Sequence, residues 1–195
     1  MKITYFGHSH FLFEGKDYSL MLDPFSNIGL KENKANCDYV FCSHSHYDHS
    51  NFSLAIGANK VENQSFFKVV KSFHDEKGGA LRGENNILIF ELDGKRIAFL
   101  GDLGEPPRDT LIAKLNGVDL MLIPVGGNYT IDGDTAYEYF VKSNAKAVIP
   151  MHYYKKGSTV DIDTAKTFLK NFDSYKELSN PFDYNGESGV LYFGE

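Results

Sequence analysis

The chain has 195 residues, 42% hydrophobic and 14% aromatic, with 20 Lys+Arg against 26 Asp+Glu. That is enough apolar material for an ordinary core and too much for a disordered chain. A formal net charge of −6 and the lack of any long Lys/Arg run argue against a surface that gathers phosphate backbones or anionic lipid.

The first third reads as short strands joined by tight turns. Lys2 to Phe6, His10 to Glu14 and Tyr18 to Leu22 form an antiparallel meander with a turn at Glu14-Gly15-Lys16-Asp17. Asp23-Pro24 stops the third run, and a polar stretch leads to a strand at Tyr39 to Cys42. Further on, Phe67 to Val70, Ile87 to Leu92, Arg96 to Leu100, Leu120 to Ile123 and Ala147 to Ile149 are apolar runs of strand length. Several lack clean alternation, which predicts strands covered on both faces. Asp93-Gly94 signals a hairpin. Helices are predicted at Thr110 to Leu115, at Thr135 to Lys142 behind Asp134, and at Thr164 to Phe172 behind Asp163. In the last, Ala165, Phe168, Leu169 and Phe172 share one apolar face.

Nothing marks a domain boundary, so residues 1–195 read as one mixed α/β domain, with two sheets between outer helices. No apolar stretch approaches the roughly 20 residues that span a bilayer, and residues 1–10 lack a secretory pattern. A cytoplasmic location is the expectation. Cys37 and Cys42 lack metal-site or redox spacing and read as buried free thiols, with Cys42 near enough to the His-rich stretch to be oxidised beside a metal.

That stretch, Ser43-His44-Ser45-His46-Tyr47-Asp48-His49, directly follows an apolar strand. In an extended strand end His44 and His46 project to the same side and can meet one ion. A turn at Asp48-His49 aims a carboxylate and a third imidazole at a second. Two ions need further donors, and His74, Asp102 and His152 each lie at the C-terminal end of a predicted strand. Singly, each has a plainer reading: a polar loop residue, a turn former, a partly buried histidine.

This His-x-His-x-Asp-His run, followed by a lone His, a Gly-Asp after a strand and a late His, resembles the metallo-β-lactamase superfamily. Phe6-Gly7-His8-Ser9, Leu22-Asp23-Pro24, Gly101-Asp102-Leu103-Gly104, the stretch Pro124 to Thr130, and Pro150-Met151-His152-Tyr153 resemble its short metal-dependent hydrolases, a branch that includes L-ascorbate-6-phosphate lactonase. The resemblance implies a four-layer αβ/βα sandwich with the active site along one edge of the sheets. It implies that His44, His46 and His74 hold one metal, that Asp48, His49 and His152 hold the other, and that Asp102 bridges them. Ser43 stands where that family more often has Thr.

Two divalent ions, zinc first with manganese or iron as alternatives, would lower the pKa of a shared water to about 7 and make hydroxide the nucleophile. The loaded site carries net positive charge, which fits a small anionic or oxyanion-forming substrate such as a lactone, phosphoester or thioester. Neither nucleic acid nor a membrane is an expected partner, and self-association is left open. Asp48 and His8 are the candidate catalytic side chains, with His8 and His10 on the same side by strand alternation. His8 is alternatively an ordinary loop histidine. Asp23 is a candidate anchor of the His-rich loop, or a cap for the turn at Pro24. Asn128, Tyr129 and Thr130, after a Gly-Gly, are candidate substrate contacts, with aromatic packing the other reading of Tyr129. Phe66-Phe67 and Tyr153-Tyr154 are candidate pocket walls. A flavodiiron-like redox protein, a nucleic-acid phosphodiesterase and a non-catalytic metal-binding module are the competing functions.

Overall fold

The computed structural model describes residues 1–62 and 65–194. In chain order the strands are β1 (Lys2–Gly7), β2 (His10–Glu14), β3 (Ser19–Leu22), β4 (Ala35–Asn36), β5 (Tyr39–Phe41), β6 (Ala55–Ile56), β7 (Asn59–Lys60) and β8 (Phe67–Phe73). They continue with β9 (Glu84–Leu92), β10 (Lys95–Phe99), β11 (Leu120–Pro124), β12 (Ala147–Met151), β13 (Lys176–Glu177), β14 (Phe182–Asp183) and β15 (Gly189–Tyr192). Helices α1 (Asp109–Leu115), α2 (Gly133–Ser143) and α3 (Lys166–Leu169) lie in the second half. One sheet runs β14-β1-β2-β3-β5-β7, a second runs β13-β15-β12-β11-β10-β9-β8, and β4 pairs with β6.

The β9–β10 hairpin closes at Asp93-Gly94, where both residues take positive φ (51° and 71°), as a two-residue turn twisted with its strands requires. Alternation in the first sheet sends Phe11, Phe13, Leu20, Leu22 and Phe41 toward the second sheet and Leu12, Met21 and Val40 the other way. Phe13 meets Phe90 edge to face at 5.4 Å, and Phe41 meets Phe99 at 6.4 Å, so aromatic pairs bridge the two sheets. The three helices return the chain between parallel strands and pack Leu111, Leu115, Ala136, Tyr139, Phe168 and Leu169 into the same core. The outer face of the first sheet is covered by Cys37 and by Leu54 of a short 3-10 turn.

Two helix expectations and one on the cysteines are adjusted. Asp132, not Asp134, caps α2, its carboxylate accepting from Thr135 N at 2.8 Å; Asp134 pairs with Lys170 at 3.0 Å. The last helix is only Lys166–Leu169, because the Asp163 N–H donates to Gly126 O and its carbonyl accepts from Tyr154 N, which ties it into a loop. Cys37 and Cys42 are free, and Cys42 is half-buried rather than buried. Burial raises both thiols, that of Cys37 to about 11, which favours the neutral thiol at both positions.

Strand direction positions everything that follows. β1, β3 and β5 run the same way, as do β8, β10, β11 and β12 in the other sheet. Their C-terminal ends deliver His8, Asp23 and the 43–49 loop from one sheet, and His74, Asp102 and His152 from the other.

Candidate metal centre

Asp102 is the meeting point. Its Oδ2 lies 3.1 Å from His49 Nε2, 3.1 Å from His74 Nε2, 3.3 Å from His152 Nε2 and 3.9 Å from His44 Nε2. Around it stand two imidazole trios whose nitrogens converge within 4.8 Å: His44, His46 and His74, and His8, His49 and His152. Asp48 Oδ2 approaches the second trio, 3.4 Å from His8 Nε2 and 3.7 Å from His49 Nε2. The 43–49 segment is a bent loop rather than an extended strand end, yet the His44 and His46 rings still meet, 4.5 Å apart.

Hydrogen bonds at the far side of the rings choose the tautomers. Buried Asp23 accepts from Ser43 N and Ser43 Oγ at 2.6 Å each and from His49 Nδ1 at 2.7 Å. Ser43 Oγ, its proton given to Asp23, accepts from His44 Nδ1 at 2.9 Å. His74 Nδ1 donates to Tyr129 O at 3.0 Å. Three Nε2 lone pairs are thereby turned toward the centre, the arrangement by which ligating histidines are oriented. One carboxylate, Asp23, sets His49 directly and His44 through Ser43. Its competing role as a turn cap is not what the structure shows.

The buried carboxylates and imidazoles of the centre perturb one another strongly. Burial pushes the Asp102 carboxyl up, and the His152 and His49 imidazoles more than reverse it, leaving Asp102 well below the usual carboxylate range. Burial works against a charge on His49, but Asp102 and Asp23 raise it well above its ordinary value. Burial lowers His44 to about 2 and His8 to about 3, which keeps both neutral and able to donate an electron pair. Burial pushes the Asp23 carboxyl up, and the three donors aimed at it favour its ionised form.

The residues fit divalent cations. His44 Nε2, Asp102 Oδ1 and His152 Nδ1 are buried with no hydrogen-bond partner among the described residues. Imidazoles and carboxylates converging, with no Lys or Arg among them in the described residues, form a donor set suited to zinc, manganese or iron.

The backbone is specialised here too. Gly101 takes φ +54°, and a Cβ there would lie 2.4 Å from Ser43 Cβ. A Cβ on Gly104 would lie 2.4 Å from the His74 carbonyl, so this glycine lets the Asp102 loop run against His74.

An open cavity of about 470 Å³ reaches the centre, lined by His46, Asp48, His74, Asp102 and His152 and, farther out, by Tyr47, Arg82, Tyr129, Thr159 and Asp161. Of the three candidate substrate contacts, only Tyr129 lines it. Asn128 donates from its side chain to Asp161 O at 2.8 Å, and Thr130 Oγ1 donates to Ile131 O at 3.1 Å. Among the expected pocket walls, Tyr153 is buried, with its hydroxyl donating to Gly194 O, and Phe66 lines a different cavity with Tyr18 and Tyr39. His8 and His10 part company, because His8 sits at φ 55° in the turn after β1, where strand alternation no longer holds. His8 reaches His49 and His152, whereas His10 packs against Phe6 and Phe25.

Arg82 escaped the sequence reading. It ends a loop built by buried Asp75, whose carboxylate accepts from Lys77 N, Gly79 N, Leu81 N and Arg82 N at 2.8 to 3.0 Å. The available signal was an Asp beside His74, followed by Gly78-Gly79 and Gly83, which mark a tight loop.

Comparison with known proteins agrees with this architecture. Residues 2–152 match the family described as Beta-lactamase superfamily domain. A "UPF0173 metal-dependent hydrolase" of Desulforamulus reducens is 30% identical, the match covering 78% of this chain and 84% of that protein. The "UPF0173 metal-dependent hydrolase YtkL" of Bacillus subtilis is 27% identical, over 78% and 86%. Among solved structures, a Thermotoga maritima protein described as a Zn-dependent hydrolase of the metallo-β-lactamase superfamily superimposes with a TM-score of 0.79 at 30% identity, over 98% of this chain and 97% of that one. With two sheets back to back and a histidine–aspartate centre at their shared edge, the chain belongs to the metallo-β-lactamase superfamily and, within it, to the UPF0173 metal-dependent hydrolases.

Proposed function

We propose that this metal-dependent hydrolase cleaves a small anionic ester-like molecule, a lactone, phosphoester or thioester, at a centre of two divalent cations, with zinc the leading metal and manganese or iron the alternatives. The observation that carries this reading is the single carboxylate oxygen of Asp102, shared by imidazoles of both trios. Bound divalent cations supply a water that ionises near neutral pH and polarise the oxygen on which negative charge develops.

The chain's own residues divide the remaining work. His44, His46 and His74 would hold one cation, Asp48, His49 and His152 the other, and Asp102 both. The cavity, at about 470 Å³, suits a metabolite-sized molecule. Arg82, its guanidinium 5.7 Å from the Tyr129 ring centre and bonded to Asn128 O at 3.1 Å, is placed to receive an anionic group at the mouth. Tyr129 braces that cation with its ring and His74 with its carbonyl. With one such arginine, acidic Asp161 beside it and a chain charge of −6, the site is poorly matched to a nucleic-acid strand. Among the described residues no helix is long and apolar enough to cross a membrane, and we place the reaction in the cytoplasm.

The test is a panel of lactone, phosphomonoester, phosphodiester and thioester substrates on protein loaded separately with zinc, manganese and iron. Metal-dependent turnover of at least one small anionic member is expected. Absence of turnover with every metal, in protein shown to hold cations, would sink the reading.

A further inference from the structure

We infer that His8 is an additional ligand of the buried cation, beside Asp48, His49 and His152, so that this position holds more protein donors than the superfamily pattern of the sequence supplies. The inference rests on the two-cation reading above.

Distances come first. Two donors about 2.1 Å from one cation, at tetrahedral or octahedral angles, lie about 3.0 to 3.5 Å apart. His8 Nε2 lies 3.0 Å from His49 Nε2 and 3.4 Å from Asp48 Oδ2, and those two lie 3.7 Å from each other. The His8 ring centre is 4.2 Å from that of His152. Of the three separations within this triangle, the two that involve His8 fall in the range expected of donors around one ion.

Protons point the same way. His49 donates from Nδ1 to Asp23, so Nε2 is the nitrogen that faces inward, straight at His8 Nε2. Two ring nitrogens 3.0 Å apart need a shared proton or a shared cation between them. A cation resolves the contact for His8, His49 and Asp48 at once, whereas one proton resolves a single pair.

The backbone supplies a third, independent observation. Among the described residues, the non-glycine positions at positive φ are Asn or Asp except two, His8 at 55° and His152 at 52°. Such left-handed non-glycine backbone carries strain, which tends to collect at functional sites. The two strained histidines hold each other: His152 N donates to His8 O at 2.8 Å, and Tyr5 Oη donates to the same carbonyl at 2.9 Å. His8 is 2% exposed and does not line the open cavity, so its ring faces the cation position from behind rather than the substrate. The turn after β1 is thus locked against the turn after β12 with both imidazoles directed inward.

The left-handed conformation also makes the test clean, because Gly and Asn accept this φ. His8→Gly and His8→Asn should fold as the wild type does, checked by circular dichroism. The readouts are cations per chain by mass spectrometry, affinity by chelator competition, and the visible spectrum of the cobalt(II) form. In both variants affinity for one of two cations should fall at least about 10-fold, the other should be retained, and the cobalt bands should change as a ligand is lost. Wild-type affinity for both cations with an unchanged spectrum would overturn the inference. So would weakened binding with an unchanged spectrum, which would make His8 a hydrogen-bond donor to Asp48. If the wild type binds no more than one cation, or His46→Ala and Asp102→Ala leave its metal content unaltered, the two-cation reading itself fails and takes this one with it.

Discussion

The two halves of the centre are built differently although they share a carboxylate. The trio of His44, His46 and His74 is open, with His46 exposed and His46 and His74 lining the cavity. The trio of His8, His49 and His152 is more deeply set, His8 and His49 lying off the cavity that only His152 of the three lines, and is braced by Asp23 and by two left-handed backbone turns. On the two-cation reading, solvent and substrate would reach the first half through exposed His46, and its geometry could relax when a cation leaves. The second has no such freedom: removing a cation strands buried nitrogens against one another. If both positions hold cations, affinity and access are divided between the halves, and chelator should strip the more open position first.

The largest effect should come from the atom that joins the halves. Asp102→Ala removes the carboxylate facing both trios, and both cations should be lost together, with activity down on the order of 10³-fold or more, since such a ligand accounts for several kcal/mol of charge stabilisation. Metal analysis beside a kinetic assay checks this. A variant that lost only one cation would show the halves to be more independent than the shared oxygen suggests.

Next comes the brace. Asp23→Asn keeps the shape and an oxygen for Ser43 N, but sets an NH2 where Oδ2 accepted from both Ser43 Oγ and His49 Nδ1. Removing such an outer partner typically weakens metal binding about 10- to 100-fold. The buried half should suffer more, because Asp23 touches His49 itself and reaches His44 only through Ser43. Stepwise titration with cobalt(II), followed by absorbance, separates the two positions. Equal weakening of both would contradict the division.

What the sequence made legible was the convergence of strand ends. A residue at the C-terminal end of a strand is easy to find, and parallel pairing of β10, β11 and β12 brings Asp102 and His152 to one edge without further information. Less visible were features that depend on backbone conformation or on distant acceptors. His8 was read by strand alternation, but the turn at Gly7-His8 breaks the period and sends it toward His49, away from His10. Arg82 was missed because its position depends on four backbone N–H groups closing on Asp75; the glycines mark the tight loop but not which side chain it turns toward the cavity. Asn128, adjacent to Tyr129 in sequence, spends its side chain on the Asp161 carbonyl of a neighbouring loop, and Thr130 spends its own on the Ile131 carbonyl.

A smaller effect tests the packing behind the buried half. His10 is fully buried between Phe6 and Phe25, and neither ring nitrogen has a partner among the described residues. Burial alone pushes its pKa down from 6.5 to about 3. Below about pH 6.5 the unfolded chain therefore binds a proton that the folded one refuses, and stability falls as pH drops toward 3. By pH 5 that contribution amounts to about 2 kcal/mol. His10→Phe should remove this part of the acid limb while changing stability less at pH 8. Urea unfolding of chelator-treated protein at both pH values measures it. Parallel pH profiles for the two proteins would show that His10 takes up its proton without unfolding.

The mildest prediction probes the open side alone. Arg82 touches neither trio: its contacts are the Tyr129 ring and the Asn128 carbonyl at the cavity mouth. A half-exposed guanidinium receiving one anionic group is worth about 1 kcal/mol in water-accessible surroundings. Arg82→Ala should accordingly raise KM for an anionic substrate by up to about 10-fold, leave kcat within about 2-fold, and leave a neutral analogue of the same ester untouched. Metal content should not move, because Asp75 holds the loop beside His74 through backbone groups that the substitution retains. If kcat collapsed while KM held, Arg82 would be acting on the reacting atoms, and the open half would carry more of the chemistry than its exposure implies.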